Sequence, residues 1–123
     1  MQRQSVVLVA EDDPAVRMYA EEVLSAHGYL TLSASSADEA LGILHNRADI
    51  DTLLTDVVMP GTLDGLGLVS EVRRRWPRIR IIVSSGRMPA AAIGNADQTR
   101  LLAKPFDEAA LLAAVNFSQF SRA

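Results

Sequence analysis

Five short apolar runs, each ended by polar or turn-forming residues, recur along the chain. The first covers residues 6–10, is rich in β-branched residues and ends abruptly in Glu11 and Asp12. A continuous apolar run of this length predicts a strand that is buried on both faces. The run that ends at Asp56 predicts the same, because Leu53 and Leu54 are consecutive where a half-exposed strand would alternate apolar with polar. The other predicted strands lie at about residues 29–34, 80–83 and 101–103.

Helical periodicity follows each of the first two strands. Asp13 can cap a helix that has Pro14 at its first position, and His27 with Gly28 closes it. After the second strand, residues 36–39 have the spacing of a capping box, with serine first and glutamate fourth. Two amphipathic helices are therefore predicted in the first 50 residues.

Three more helices are predicted in the second half of the chain. Apolar residues at helical spacing follow residue 65, and Trp76 with Pro77 ends that helix. Residues 88–98 are the hardest to interpret and predict a short fourth helix at most. Asp107 caps the fifth helix, where Phe106 and Leu111 occupy the positions of a hydrophobic staple.

Five strand-then-helix units in 123 residues predict an α/β domain with a doubly wound parallel sheet. The length suits one domain over residues 1–123. In such sheets, functional residues collect at the carboxyl ends of the strands. The chain places Glu11, Asp12, Asp56, Ser85 and Lys104 at those ends.

These side chains suggest a specific chemistry. Clustered carboxylates repel one another unless a cation lies among them, and oxygen ligands suit Mg²⁺ or Mn²⁺. A carboxylate such as Asp56 is then either a cap for the next turn or a nucleophile for phosphoryl transfer, with Lys104 and Ser85 facing the phosphoryl oxygens. The local sequence leaves both alternatives open.

Composition narrows the classes of partner. A net charge of -3 argues against a nucleic-acid surface, and the absence of cysteine excludes disulfides and thiolate chemistry. The apolar run near the start is far shorter than the roughly 20 residues of a membrane span, so we expect a cytoplasmic protein that binds neither nucleic acid nor membrane.

The motifs together resemble the receiver domains of two-component response regulators, over the whole chain. The matching residues are Glu11, Asp12, Asp13, Pro14, Asp56, Met59, Pro60, Gly61, Asp64, Gly65, Ser85, Gly86, Lys104, Pro105 and Phe106. The resemblance implies a flavodoxin-like sheet with strand order 2-1-3-4-5 and five helices, the fourth short. It also implies a histidine kinase or histidine phosphotransfer protein as partner, and no enzymatic activity beyond self-phosphorylation from a phosphodonor and slow self-dephosphorylation.

The same resemblance implies roles for individual residues. Asp56 would accept the phosphoryl group, and Ser85 and Lys104 would contact it. Asp12 and Asp56 would bind Mg²⁺ directly, Glu11 through water and Val58 through its backbone carbonyl. The peptide bond before Pro105 is expected to be cis.

Three features depart from the family pattern. Leu101 stands where an aromatic switch residue is usual, the segment between Ser85 and Lys104 is short, and residues 61–65 carry one extra residue. The predicted switch acts through the face made by the fourth helix, the fifth strand and the fifth helix, and these departures bear on it.

Two other classes remain as alternatives. One is a pseudo-receiver that binds without taking phosphate, and the other is a phosphatase of the haloacid-dehalogenase type, whose nucleophile lies on the first strand. A stand-alone regulator, a phosphorelay shuttle and the receiver of a hybrid kinase all remain open, and the motifs at residues 85–86 and 104–106 resemble those of the hybrid-kinase group.

Overall fold

The computed structural model describes residues 4–59, 61, 63–86 and 99–116. Five strands and four helices occur in this part of the chain. In order they are β1 (Val6–Ala10), α1 (Pro14–Ala26), β2 (Leu30–Ala34), α2 (Ala37–Asn46), β3 (Thr52–Asp56), α3 (Gly65–Arg75), β4 (Arg80–Ser85), β5 (Thr99–Ala103) and α4 (Glu108–Val115). The predicted fourth helix falls on residues 88–98, outside the described residues, so the helix capped by Asp107 is α4 here.

The strands form a single parallel sheet in the order β2-β1-β3-β4-β5. The predicted fold class and strand order are confirmed. Because neighbouring side chains of a strand point to opposite faces, consecutive apolar residues feed two cores. Leu53 lies in the core that α2 and α3 cover, while Leu54 lies in the core under α1 and α4. A sheet apolar on both faces needs helices on both.

Helix ends follow the local signals closely. The carboxylate of Asp13 accepts a hydrogen bond from the Ala15 amide, and Pro14 is the first residue of α1. Gly28 ends the turn after α1 with φ 91°, a left-handed conformation that glycine adopts without steric cost. The Asp107 cap is also present. Each of these caps and turns depends on a few neighbouring residues, which is why the sequence could reveal them.

Two local predictions need correction. In the predicted capping box, the Glu39 amide does bond Ser36 Oγ, but the Glu39 carboxylate accepts from the amide of Ser35 at 2.6 Å instead of that of Ser36. The fourth strand does not end at Val83, because β4 pairs with β5 through Ser85. Ser84 also pairs with Asp56 of β3, and together these pairings extend the strand by two residues.

None of the helices in the described ranges is both long and apolar enough to cross a membrane.

Candidate functional site

The carboxyl ends of β1, β3, β4 and β5 meet at one edge of the sheet, as parallel pairing requires. Asp56 is the last residue of β3, and Glu11 directly follows β1. Lys104 directly follows β5, and its amide donates to the Ser85 carbonyl at the end of β4 with a distance of 2.9 Å. The fold therefore brings together residues that are up to 93 positions apart.

Lys104 joins two of the carboxylates. Its Nζ lies 2.9 Å from Glu11 Oε1 and 3.0 Å from Asp56 Oδ2. The Glu11 side chain is 5% exposed and that of Asp56 is 15% exposed, so water screens both ion pairs only weakly. One ammonium group thus holds the carboxylates of β1 and β3 in a common site.

Burial affects the two partners differently. It raises the pKa of the Glu11 carboxyl, and this effect outweighs the opposing hydrogen bonds from Lys104 and from the Asp13 amide. Burial alone would lower the pKa of Lys104, but its hydrogen bonds to Glu11 and Asp56 outweigh it and raise that pKa above its ordinary value. Lys104 is therefore a fixed positive charge at neutral pH, whereas burial disfavours the charged form of Glu11.

An acidic cluster completes this edge of the sheet. One carboxylate oxygen from each of Glu11, Asp12 and Asp56 lies within 4.8 Å of the others. With all groups ionised, three carboxylates and the Lys104 ammonium leave a net negative charge. A donor set made only of carboxylate oxygens suits Mg²⁺ or Mn²⁺ and not a soft metal, so these residues fit the predicted ion.

The loop after β3 folds closely over Asp56. Val58, whose side chain is 75% exposed, points its amide toward Asp56 Oδ1 at 3.5 Å. The amide of Gly65, at the start of α3, donates to the Val57 carbonyl at 2.9 Å. A Cβ built on Gly65 would lie 1.7 Å from the Asp56 carbonyl oxygen, a distance that no side chain tolerates. Only glycine lets α3 begin this close to the backbone carbonyl of Asp56.

Ser84 and Ser85 take different places although they are adjacent. Asp56 is paired in register with Ser84, and parallel partners present their side chains on the same face. Ser84 is 2% exposed, whereas Ser85 lies half-buried at the strand end. The sequence showed two hydroxyls at this strand end, but only the register decides which one shares a face with Asp56.

An open groove lies beside the charged residues. It has a volume of about 390 Å³ and is lined by Val16, Tyr19, Pro105 and Phe106, with Lys104 at one side. The rings of Tyr19 and Phe106 are 6.2 Å apart between centroids. The peptide bond between Lys104 and Pro105 is cis, as predicted. The acidic edge therefore borders an apolar surface.

Sequence reasoning missed two contacts of this site. The close approach of Gly65 to the Asp56 carbonyl was hidden, since an Asp-Gly pair before a helix signals only a turn. The Arg17 guanidinium donates to the Glu11 carbonyl at 2.9 Å, which no local pattern indicates.

Comparison with known proteins agrees with this geometry. The family model described as response regulator receiver domain matches residues 7–116. The chain is 39% identical over 106 residues to sensor kinase CckA of Brucella abortus, covering 83% of this chain and 11% of that protein. It is 33% identical over 110 residues to the DNA-binding transcriptional regulator NtrC of Salmonella typhimurium, covering 87% and 23%. The chain thus spans a quarter or less of these curated relatives.

Solved structures are similar in the same way. The receiver domain from hybrid histidine kinase CckA superposes with a TM-score of 0.76 at 34% identity, over 90% of this chain and 95% of that chain. A response regulator receiver protein from Pseudomonas putida superposes with a TM-score of 0.80 at 28% identity, over 94% and 98%.

Proposed function

Because the chain belongs to the family of response regulator receiver domains of two-component systems, which are regulatory, we propose that it accepts a phosphoryl group on Asp56. The observation that carries the proposal is the contact of Lys104 with both Glu11 and Asp56 beside Asp12. No contact among the described residues favours either alternative class. A phosphatase of the haloacid-dehalogenase type would need its nucleophile on β1, whereas Asp56 ends β3.

The proposed reaction is transfer from a phosphohistidine. A carboxylate oxygen of Asp56 attacks phosphorus, an O–P bond forms, and the P–N bond breaks as the imidazole leaves with the electron pair and takes up a proton. Lys104 Nζ, 3.0 Å from Asp56 Oδ2, is near enough to offset negative charge on the transferred group. We assign Ser85 as a hydrogen-bond donor to another phosphoryl oxygen.

The acidic cluster would hold Mg²⁺ or Mn²⁺. Asp12 and Asp56 would be direct ligands, Glu11 would act through water, and the backbone carbonyl of Val58 would complete the protein ligands. When bound, the ion supplies positive charge that offsets the charge of the phosphoryl oxygens. The oxygen-only donor set supports this assignment.

We further propose that a histidine kinase or a histidine phosphotransfer protein is the donor, and that transfer takes place in the cytoplasm. The apolar groove beside Lys104 supports a protein donor, because Tyr19 is 39% exposed within it. Tyr19→Ala should slow transfer from a phosphotransfer protein and leave phosphorylation by acetyl phosphate unchanged. Leu30→Ala, equally exposed on β2, is the control and should affect neither. Equal transfer to all three proteins would argue against this surface.

Output would come from movement of the β4 end when Ser85 bonds the phosphoryl group. Leu101 is 36% exposed on β5, so the residue in the place of the usual aromatic is an aliphatic side chain at the surface. We propose that the shift is transmitted to the β5 and α4 face by the backbone pairing of Ser85 with Ala103.

The decisive experiment is intact mass spectrometry after incubation with acetyl phosphate and Mg²⁺. Wild type should gain the mass of one phosphoryl group, and Asp56→Asn or removal of the metal should abolish the gain. Asp49→Asn changes an exposed carboxylate before β3, paired with Arg47, and is the matched control that should still be phosphorylated. A wild type that binds no metal and gains no mass would favour the pseudo-receiver, and turnover of a small phosphomonoester would favour the phosphatase.

A further inference from the structure

Ser84 is a buried hydroxyl on the inner side of Asp56. Its side chain is 2% exposed, and its Oγ has no hydrogen-bond partner among the described protein groups. Buried polar atoms in folded proteins nearly always have a partner, either protein or ordered water. Ser84 is in register with Asp56 and lies on the same face of the sheet. We therefore expect the hydrogen-bond partner of Ser84 Oγ to lie near the Asp56 side chain.

A small, partly open space lies between these residues. The volume open to the centre of a water molecule is about 10 Å³, which is room for about one water. Polar side chains in its wall are Glu11, Asp56 and Ser84, and apolar walls include Leu54 and Phe106. A water needs two to four polar partners to be held in such a cavity, and these three groups can supply them.

The existing hydrogen bonds show which carboxylate oxygen can accept a further hydrogen bond. Both carboxylate oxygens of Glu11 already accept a hydrogen bond, Oε1 from Lys104 Nζ and Oε2 from the Asp13 amide. Asp56 Oδ2 bonds Lys104, but among the described residues Oδ1 has only the Val58 amide at 3.5 Å, which is a poor hydrogen bond. Asp56 Oδ1 is therefore the oxygen with the most capacity left.

We propose that Ser84 is a positioning residue of the acceptor site, whose hydroxyl holds one buried water that donates a hydrogen bond to the Asp56 carboxylate. The water site exists in the unphosphorylated protein, while its effect on phosphoryl transfer rests on the proposed function of Asp56. Lys104 and the water hold the carboxylate from two sides, which limits its rotation before it attacks phosphorus.

The first measurement is a high-resolution crystal structure of the unphosphorylated wild type and of Ser84→Ala. The wild type should hold one ordered water within hydrogen-bond distance of Ser84 Oγ and of Asp56, and the variant should lose that water or leave it poorly ordered. A dry cavity in the wild type overturns the proposal whatever the variants do.

The second measurement separates positioning from packing. With acetyl phosphate and Mg²⁺, Ser84→Ala should lower the phosphorylation rate at saturating donor by about two- to tenfold, the range expected for one hydrogen bond, and leave the half-saturating concentration unchanged. Val83→Ala removes packing from the opposite core and is the control, which should lose stability without this loss of rate.

Each result bears on a different claim. A rate for Ser84→Ala equal to that of wild type, or an equal loss in Val83→Ala, would overturn the positioning role. If wild type forms no adduct that depends on Asp56, the proposed function fails and the positioning role with it, whereas the crystal structures still decide the water site.

Discussion

Replacing Gly65 by alanine tests how closely α3 must approach the backbone of Asp56. A Cβ at this position would lie 1.7 Å from the Asp56 carbonyl oxygen and 2.7 Å from the Val57 carbonyl oxygen. Both neighbours are backbone atoms, so no side chain can rotate away to make room. The separation must grow by about 1.3 Å to reach the 3.0 Å below which real Cβ contacts are essentially never found.

The magnitude follows from what this movement breaks. Forcing an extra methyl group into a packed site costs about 1–3 kcal/mol. The hydrogen bond from the Gly65 amide to the Val57 carbonyl, 2.9 Å long, would also be strained or lost, at about 0.5–1.5 kcal/mol. We therefore expect Gly65→Ala to lower the free energy of unfolding by about 1.5–4.5 kcal/mol. Because the displaced backbone carries Asp56, we also expect slower phosphorylation.

Urea unfolding followed by circular dichroism measures the first effect, and intact mass after acetyl phosphate treatment measures the second. Gly42→Ala is the matched control, because Gly42 is exposed within α2 and a Cβ there meets nothing within 4 Å. Alanine at an exposed helix position should raise stability by about 0.5–1 kcal/mol. If Gly65→Ala were as stable as Gly42→Ala and phosphorylated at the wild-type rate, the argument from close approach would be refuted.

Three further variants probe other contacts. Lys104→Met leaves the carboxylates of Glu11 and Asp56 without their cation. The loss should lower the free energy of unfolding by about 1–2 kcal/mol, a modest value because the lysine itself is partly exposed to water. Added Mg²⁺ should recover part of this loss in urea titrations. Hydrogen bonds from Ser35 lower the pKa of Glu39, so its contribution to stability is present above pH 4.5 and is lost as the pH falls through the lower folded-state pKa. Thermal unfolding between pH 7 and pH 3 should therefore show the stability advantage of wild type over Glu39→Gln shrinking toward acid, and a constant difference would contradict this. Asp107→Ala removes the α4 cap and should cost about 1 kcal/mol, measured by urea unfolding, and an unchanged midpoint would argue against the cap.

Much of the fold could be predicted because its signals are local. The cap at Asp13, the chain reversal at Gly28 and the consecutive Leu53 and Leu54 each report on a few neighbouring residues. Strand and helix alternation then restricts the topology, because parallel strands need crossovers of one hand. Parallel strands also run in one direction, so Glu11, Asp56 and Lys104, at or just after the ends of β1, β3 and β5, had to lie at one edge of the sheet.

Resemblance to a family supplied what local pattern could not, namely the assignment of Asp56 as acceptor over cap. In the structure Asp56 Oδ2 accepts from Lys104 and Oδ1 lies 3.5 Å from the Val58 amide, while the cap of α3 is Asp64. Strand ends were less predictable, because β4 continues through Ser85 only where β5 is present to pair with it.

By itself, the sequence determined the order of strands and helices, most helix caps and the set of side chains at the strand ends. Only the tertiary structure decided which of those side chains touch. The contact of Lys104 with Glu11, the approach of Gly65 to the Asp56 carbonyl and the burial of Ser84 beside Asp56 all depend on strand register and helix packing. Register and packing join residues far apart in the chain, so no periodicity within one segment can encode them.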